Sequence, residues 1–371
     1  MSYHTLIIGS PGTGKSTLLT QLALDYIHQN EGVFFIDPIG HHIDQLIQHI
    51  PFRRITDTVL FDPSLADPAP VNILANSTPA TRPIIASAVL SAFRDLAKYG
   101  DASTGVFDRL ILNAIYAILE TPKPSLISIK DILLSDTYRS HVLNHVSDPF
   151  IKRFWVEEYQ EWPDRMRIDR VQSTLNQVDM IVNDERLRAH FCYNTTTPIQ
   201  DRTIFLARLP VAKLGIQKTR IAGLLLMAYH QLSAPVPILI DVAHHFQEHL
   251  MYALLSGTVP TTVVFNALTE MERPIASAAM SAHNKIAFRI ADQDAERFDK
   301  LLRLGDQEAS TYQLKNFEYY LSHAGAYKPT REAVPAQRHR KYRGVPLRLR
   351  QHMNRHHRIH RRTVLKAINA R

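Results

Sequence analysis

The sequence predicts an α/β fold in which a three-layer core is interrupted by an all-helical insertion and followed by a basic C-terminal tail. Five short apolar segments, rich in β-branched residues, alternate with helical patterns, which is typical of a parallel sheet covered on both faces. The strand signal disappears between about residues 80 and 200, while helical periodicity continues. Residues 337–371 contain no acidic side chain.

The predicted strands place the core in two separate parts of the chain. They are Leu6–Ile8, Val33–Ile36, Thr203–Leu206, Ile238–Ile240 and Thr262–Phe265, with Val59–Phe61 and Ile286–Ile290 as candidates for two more. Each run is bounded by turn or polar residues and has the length of a buried strand. We therefore expect residues 1–80 and 201–330 to form the α/β domain, residues 81–200 the helical insertion, and residues 331–371 the tail.

A glycine-rich loop follows the first predicted strand and matches the phosphate-binding pattern G-x-x-x-x-G-K-[ST] in full. Its residues are Gly9, Ser10, Pro11, Gly12, Thr13, Gly14, Lys15, Ser16 and Thr17. In such a loop backbone N–H groups surround the phosphates, Lys15 neutralises the β and γ oxygens, and the Ser16 hydroxyl binds Mg²⁺. An amphipathic helix begins at about Lys15, so its N-terminus points at the phosphates. The sequence therefore predicts a site for ATP and Mg²⁺.

The second half of this predicted site is Asp241, which directly follows the apolar strand Ile238–Ile240. An acidic residue at the end of a second strand holds Mg²⁺ in this class of site, although Asp also closes strands as a turn residue. Hydrolytic proteins of the class usually carry a glutamate next, which orients the attacking water. Val242 occupies that position here and cannot accept a proton.

Asp37, at the end of the second predicted strand, is the first candidate to replace the missing glutamate. Its carboxylate would face the same crevice outside the carboxyl ends of the strands. The segment Asp37–Gly40 also has the composition of a turn, so a structural role stays open. His244 and His245 would polarise water if they titrate near neutral pH, and we rank them below Asp37.

Composition restricts the class of protein further. A chain of 371 residues that is 45% apolar can bury a large core. The single cysteine, Cys192, forms no internal disulfide, and the sequence has no paired Cys/His spacing for zinc, which indicates a reducing compartment. We find neither a signal peptide nor an apolar run of about 18 residues, so we expect a cytoplasmic protein without a membrane span.

The positive charge is concentrated in residues 337–371, which contain twelve Lys or Arg, five His and no Asp or Glu. Removing that +12 from the net charge of +8 leaves about −4 for residues 1–336. This density is typical of a segment that binds nucleic-acid phosphates and releases counterions. The candidate contacts are Arg338, Arg340, Lys341, Arg343, Arg355, Arg358, Arg361 and Arg362. An anionic membrane surface and an acidic partner protein stay open as alternatives.

Several segments, taken in order, resemble the HerA/FtsK superfamily of P-loop ATPases, and within it the TraG-like coupling proteins of conjugation and type IV secretion. The similarity covers roughly residues 5–330. The phosphate loop is followed by Asp37-Pro38-Ile39-Gly40 and then by Phe61-Asp62-Pro63, as in that family. Further segments in the family's order are Val71–Leu74, Phe154–Glu158, Ile204–Leu209, Asp241–Phe246 and Asn284–Arg289.

The resemblance implies a RecA-like domain that binds ATP and Mg²⁺, assembles as a homo-hexameric ring and moves DNA through its centre. It implies that Asn266, where the family usually has glutamine, senses the γ-phosphate, and that Arg289 contacts phosphate or a neighbouring subunit. The sequence departs from the family at Val242, at Asn266 and at Leu255–Pro260, where the family's basic segment is shortened. The family's N-terminal membrane anchor is absent, so attachment to the inner membrane would need a partner.

Three functions agree with these residues. The leading one is a DNA translocase or DNA-packaging motor of a mobile element, with a secretion channel, relaxase or capsid as its partner. The second is a degenerate ATPase that acts as an ATP-gated DNA-binding or assembly subunit, and Val242 favours it. The third, a small-molecule kinase, is allowed by the loop alone, but the chain has no short lid for a phosphate acceptor.

Overall fold

In a computed structural model the protein is described at residues 3–65, 68–75, 77–94, 104–233, 236–246, 249–305, 308–336, 339–356, 363 and 365–366. The chain divides into two compact units. The first contains Met1–Phe61, Ile199–Lys213 and Ser233–His356, and the second contains Asp62–Pro198 and Leu214–Leu232.

A nine-stranded sheet organises the first unit. Its strands are β1 (Thr5–Ile8), β2 (Val33–Asp37), β3 (Thr58–Phe61), β4 (Ile204–Arg208), β5 (Ile238–Ile240), β6 (Thr261–Phe265), β7 (Asn284–Ala287), β8 (Glu318–His323) and β9 (Thr330–Ala333). They lie in the order β3-β4-β2-β5-β6-β1-β7-β8-β9. Neighbouring strands are parallel from β3 to β7, and β8 and β9 extend the sheet antiparallel. The predicted α/β class is confirmed.

The helices are distributed between the two units. They are α1 (Lys15–His28), α2 (His41–Ile47), α3 (Arg82–Arg94), α4 (Thr104–Ile118), α5 (Ile127–Leu134), α6 (Asp136–Leu143), α7 (Pro149–Arg153), α8 (Asp164–Val182), α9 (Glu185–Phe191), α10 (Val211–Leu214), α11 (Ile216–Leu232), α12 (His249–Ser256), α13 (Arg273–Met280), α14 (Asp292–Leu302) and α15 (Val345–His356). The second unit holds α3 to α9 and α11.

The position of β1 decides where a ligand can bind. Every residue of β1, β2 and β6 is buried, because these strands are covered on both faces and therefore read as continuous apolar runs. β1 lies between β6 and β7, and its loop begins at the carboxyl edge of the sheet, where the parallel strands β2, β5 and β6 also end. Open α/β sheets bind their ligands in this crevice.

The structure divides the chain differently from the boundaries expected from sequence. The second unit begins at Asp62, and it includes α11, which packs on α3 and α8. Much of the expected tail belongs to the first unit, since β9 pairs with β8 and α15 follows it. The four residues of β9 are all exposed, so this strand is held by backbone pairing and has no apolar pattern to predict it.

Helix α15 is anchored through one apolar face. Val345, Leu349 and Met353 recur every fourth residue, share that face and are buried. The helix packs against β3 and the 3₁₀ helix Phe52–Asp57, and the Arg348 guanidinium lies 4.5 Å from the centre of the Phe52 ring. The basic segment is therefore joined to the sheet-containing unit at least as far as this helix.

An upstream contact fixes the start of the same segment. His339 Nε2 lies 2.9 Å from Asp25 Oδ1 of α1, and the His339 carbonyl lies 2.9 Å from His49 Nδ1. The backbone N–H of Tyr342 donates to the Gln48 carbonyl at 2.8 Å. Residues 339–356 thus form part of the folded unit, although their charge alone indicates a solvated arm.

Asp184 caps α9 in the second unit and stabilises it through charge. Its Oδ1 accepts from the backbone N–H groups of Arg186 and Leu187, and its Oδ2 accepts from the Lys218 ammonium at 2.8 Å. Burial opposes ionisation of the carboxyl, but hydrogen bonds from the Arg186 and Lys218 side chains outweigh it and hold the pKa of Asp184 well below its usual range. The ionised carboxylate therefore stabilises the folded state.

We predict that Asp184→Asn lowers the free energy of unfolding at pH 7 by about 1–3 kcal/mol, because charged hydrogen bonds at a helix cap are lost. A depressed pKa contributes its full stability above the unfolded value of about 4, and this stability decreases progressively as pH falls from there through the lower folded pKa. The difference between variant and wild type should therefore shrink from pH 7 to pH 3 in urea titrations.

The control is Asp164→Asn, which removes an exposed i, i+3 ion pair with Arg167 in the same unit. Exposed pairs contribute about 0–1 kcal/mol, so this variant should stay close to wild type at both pH values. An Asp184→Asn penalty that is the same at pH 7 and pH 3 would contradict the assigned charge effect.

Candidate nucleotide-binding site

The phosphate loop is anchored to the strands on both sides of β1. The backbone N–H of Gly9 donates to the Phe265 carbonyl at 3.3 Å, and that of Ser10 donates to the Arg289 carbonyl at 2.7 Å. Glycine is required at position 9 because the backbone lies close to Phe288, and an added Cβ would lie 2.6 Å from Phe288 Cβ. Tight packing thus holds the loop at a fixed place on the sheet edge.

Lys15 begins α1 and turns its side chain back into the loop. Its buried Nζ donates to the carbonyls of Gly9 at 2.5 Å and Ser10 at 2.9 Å. Burial lowers the pKa of Lys15 to about 8, while Asp241 and Glu270 act in the opposite direction. The ammonium is therefore held where the motif requires a cation for the β and γ oxygens.

Ser16 and Asp241 meet across the carboxyl edge of the sheet. Ser16 Oγ donates to Asp241 Oδ1 at 3.2 Å, and the other carboxylate oxygen, Oδ2, is buried without a hydrogen-bond partner, with His42 Nε2 3.6 Å away. Burial raises the pKa of the Asp241 carboxyl, with Asp37 acting in the same direction and His42 against it. A hydroxyl beside an unsatisfied, buried carboxylate oxygen fits Mg²⁺, which prefers oxygen ligands and would remove this penalty.

These side chains line one cavity of about 370 Å³, which is within the usual range for small-ligand sites. Most of the loop, with Lys15, Ser16 and Thr17, forms one wall. Asp241 and Asn266 contribute from the ends of β5 and β6. The structure thus brings together the loop, the metal candidates and Asn266, three of the features expected from sequence.

Asp37 has the structural role that the sequence left open. Its Oδ1 accepts from the backbone N–H groups of Ile39 and Gly40, at 2.9 and 2.7 Å. Its Oδ2 accepts from those of His42 and Ile43, at 2.9 and 3.2 Å, and the residue is fully buried. Four backbone donors commit this carboxylate to the turn before α2, so the geometry does not favour the expectation that it activates water.

Val242 has an unusual backbone conformation. Its φ is +46°, and its N–H donates to Asp241 Oδ1 at 3.0 Å. A positive φ costs an ordinary residue about 1–2 kcal/mol, and β-branched side chains adopt it rarely. Val242 thus forms a strained turn directly after Asp241, and its N–H holds the Asp241 carboxylate.

Asn266 positions a carboxylate that the sequence analysis missed. The Glu270 oxygens accept from the Asn266 backbone N–H at 2.9 Å and from its Nδ2 at 3.1 Å. His244 Nδ1 lies 3.3 Å from Glu270 Oε2. Glu270 is close enough to Lys15 to raise the pKa of that ammonium. The only sequence signal for it is an Asn and a Glu four residues apart after a strand, which is too common to serve as a motif.

The remaining predicted residues are Arg289 and the basic residues of the tail. The Arg289 carbonyl anchors the loop, its side chain is half-buried, and it is not among the residues that line the cavity. Arg340, Lys341 and Arg343 are exposed. Further predicted nucleic-acid contacts lie outside the described residues, namely Arg338, Arg358, Arg361 and Arg362, together with the side chain of Arg355.

The sheet order and this site define the class of protein, a P-loop protein with a RecA-like core. An additional strand, β6, lies between the strand that leads into the phosphate loop and the one that precedes Asp241. None of the helices described in the structure is long and apolar enough to cross a membrane. Within the same described residues no cluster of His, Cys, Asp or Glu forms a separate metal site.

Comparison with known proteins identifies the fold more closely. No protein-family profile and no curated protein sequence matches the chain. The plasmid coupling protein TrwB in complex with the GTP analogue GDPNP is similar in structure, with a TM-score of 0.63 and 11% identity over 92% of this chain and 88% of that one. TrwB with ADP and Mg²⁺ gives 0.64 and 10% identity, over 92% and 87%.

VirB4 of Thermoanaerobacter pseudethanolicus is similar too, with a TM-score of 0.63 and 12% identity over 90% of each chain. Identities this low establish the fold alone. The chain therefore has the same fold as TrwB and VirB4, in agreement with the resemblance noted in the sequence.

Proposed function

We propose that this protein is an ATP-driven motor subunit that moves DNA in conjugative transfer or type IV secretion. The observation that carries the proposal is the contact between Ser16 Oγ and the buried Asp241, whose second oxygen lacks a hydrogen-bond partner. It supports a Mg²⁺–nucleotide site at the sheet edge of a fold shared with TrwB, which has been seen with ADP and Mg²⁺.

Nucleotide binding follows from the loop. Its backbone N–H groups surround the phosphates, the Lys15 ammonium exchanges its two carbonyl contacts for phosphate oxygens, and Ser16 and Asp241 hold the metal. Bound Mg²⁺ supplies charge stabilisation at the β and γ oxygens. Asn266 lines the same cavity as Ser16 and Asp241, where its amide can sense the γ-phosphate.

Hydrolysis needs a group that orients the attacking water, and Glu270 is the residue we assign to this role. Asn266 donates to both of its oxygens, and His244 Nδ1 lies 3.3 Å from Oε2. The Glu270 side chain is 29% exposed, so water reaches it, and its partner Asn266 lines the nucleotide cavity. In this arrangement Glu270 takes the role of the glutamate that was expected at position 242.

DNA binding is assigned to the basic segment that ends the chain. Arg340, Lys341 and Arg343 are exposed beside α15, and the segment is attached to the nucleotide-binding unit by buried apolar residues. No base-reading motif is present in the sequence, so we expect contacts to phosphates and binding without sequence preference.

Assembly and partners are part of the same proposal. We expect a homo-hexameric ring with a secretion channel, relaxase or capsid as partner, and peripheral attachment to the inner membrane through that partner. The half-buried Arg289 is the side chain we assign to a phosphate or to the neighbouring subunit.

A second function, an ATP-gated DNA-binding or assembly subunit without turnover, is favoured by Val242 alone. It shares the binding site with the motor and differs in hydrolysis. Measurement of turnover therefore separates the two.

We predict that ATP hydrolysis is stimulated by single- or double-stranded DNA and is abolished in Lys15→Ala, because the substitution removes the cation that binds the β and γ oxygens. The measurement is phosphate release with and without each DNA. Wild-type protein that binds ATP tightly and releases no phosphate in any oligomeric state would reject the motor in favour of the gated subunit.

We predict that Glu270→Gln lowers the rate of hydrolysis about 100- to 1,000-fold, while ATP affinity changes less than about threefold, because the amide keeps the volume and loses the proton acceptor. Phosphate release and calorimetry give the two quantities. Glu296→Gln, on the exposed face of α14, is the control and should leave both unchanged. A turnover rate of Glu270→Gln equal to that of wild type excludes the assigned role.

We predict that Arg340→Gln combined with Lys341→Gln and Arg343→Gln weakens DNA binding and reduces the slope of log K against log salt. Each lost phosphate contact on duplex DNA lowers that slope by about 0.9. Substitution is preferable to deletion, because deletion would also remove the buried residues of α15. The control neutralises three exposed cations elsewhere in the unit, Arg273, Arg297 and Lys300. A salt slope that is unchanged in the first variant contradicts the assignment.

A further inference from the structure

Phe317 is an exposed aromatic residue at the nucleotide cavity that neither the phosphate-loop motif nor the proposed mechanism uses. Its side chain is 49% exposed and lines the same cavity as Lys15 and Asp241. Because the ring lines this cavity, a ligand bound beside the phosphate loop would cover apolar surface that is otherwise exposed.

The main chain holds Phe317 firmly in place. Its φ is +68°, a conformation that a bulky residue rarely adopts and that persists only where neighbouring structure imposes it. Its N–H donates to the Thr13 carbonyl of the phosphate loop at 2.7 Å, and its carbonyl accepts from the Val334 N–H at 2.7 Å. The ring is thus tied directly to the loop and to the residue that follows β9.

The ring also packs against Gly14 of the loop. Gly14 has a φ of +110°, and an added Cβ there would lie 2.8 Å from Phe317 Cδ1. A side chain at position 14 would therefore displace the ring. The loop and the aromatic residue form one rigid surface on this side of the cavity.

The sheet order fixes which end of a nucleotide lies near this surface. Asp241 follows β5, on the β6 side of β1, whereas Phe317 precedes β8 on the opposite side. Mg²⁺ and the γ-phosphate belong beside Ser16 and Asp241, and the loop amides hold the α- and β-phosphates. The phosphates therefore run from the Asp241 side toward the Phe317 side, and the nucleoside leaves the loop there.

We propose that the Phe317 ring is the stacking platform for the nucleobase; this inference rests on the proposed nucleotide site and identifies its nucleoside end. Stacking on a single aromatic face uses the π-surface that every base has, so it contributes affinity without selecting among bases. The site accordingly takes nucleoside triphosphates as a class, and binds ATP and GTP with similar affinity.

The experiment compares three ligands by calorimetry in the presence of Mg²⁺: ATP, GTP and inorganic tripolyphosphate. Phe317→Leu keeps a γ-branched side chain and removes the π-face, so it should weaken ATP and GTP about 5- to 150-fold each. Tripolyphosphate has no base, and its affinity should not change. Phe317→Tyr, which keeps the ring, should bind all three ligands as wild type does.

The matched control is Tyr312→Leu, which removes an aromatic ring of similar exposure, 45%, that does not line the cavity. It should leave all three affinities unchanged. Unaltered ATP affinity in Phe317→Leu overturns the inference, and so does a parallel loss of tripolyphosphate, which would mean that the loop itself was disturbed.

A neighbouring cavity of about 430 Å³ offers a competing place for the base. It shares Thr17 with the nucleotide cavity and is also lined by Gln45 and Lys341. A loss of ATP and GTP affinity in Lys341→Ala, with none in Phe317→Leu, would place the nucleoside there and reject the stacking role.

Failure of this inference and failure of the proposed function give different results. Wild-type protein that binds ATP without hydrolysing it rejects the motor but still allows the comparison of ligands, because the comparison measures binding alone. Wild-type protein that binds neither ATP nor GTP rejects both.

Discussion

The structure depends on the anchoring of the phosphate loop to the ends of β6 and β7, the two strands that flank β1. Gly9 bonds to the carbonyl at the end of β6, and Ser10 bonds to the carbonyl of Arg289, which follows β7. These two bonds hold the loop at the one edge of the sheet where β2, β5 and β6 also end. Asp241, Asn266 and the start of α1 reach the same cavity because the parallel strands bring them there. Backbone hydrogen bonds and the parallel order of the strands thus bring the residues of the site together.

Three carboxylates lie close to this edge, and their surroundings give them different roles. Asp37 accepts four backbone hydrogen bonds and stabilises a turn. Asp241 is equally buried but keeps one oxygen without a hydrogen bond, which suits a cation. Glu270 is partly exposed and held by Asn266, which suits contact with water. The residue type is nearly the same in each case, so hydrogen-bond partners and access to water distinguish them.

The sequence predicted the parallel strands well, because strands buried on both faces are continuous apolar runs. It missed β8 and also β9, whose four residues are all exposed, and it treated α15 as a charged arm because basic residues surround Val345, Leu349 and Met353. The phosphate loop and Asp241 were predictable from local patterns. Glu270 and Phe317 were not, since each is positioned by residues distant in the chain, His244 beside Glu270 and Thr13 beside Phe317.

The left-handed turn at Val242 has a consequence for how this chain relates to sequences that carry a glutamate at the same place. At a φ of +46° a side chain leaves the backbone in a different direction from one on an extended strand end. A glutamate introduced there would keep the conformational cost and would not aim as a strand-end glutamate does. Replacing Val242 with glutamate would therefore supply a carboxylate without supplying the backbone direction of an extended strand end.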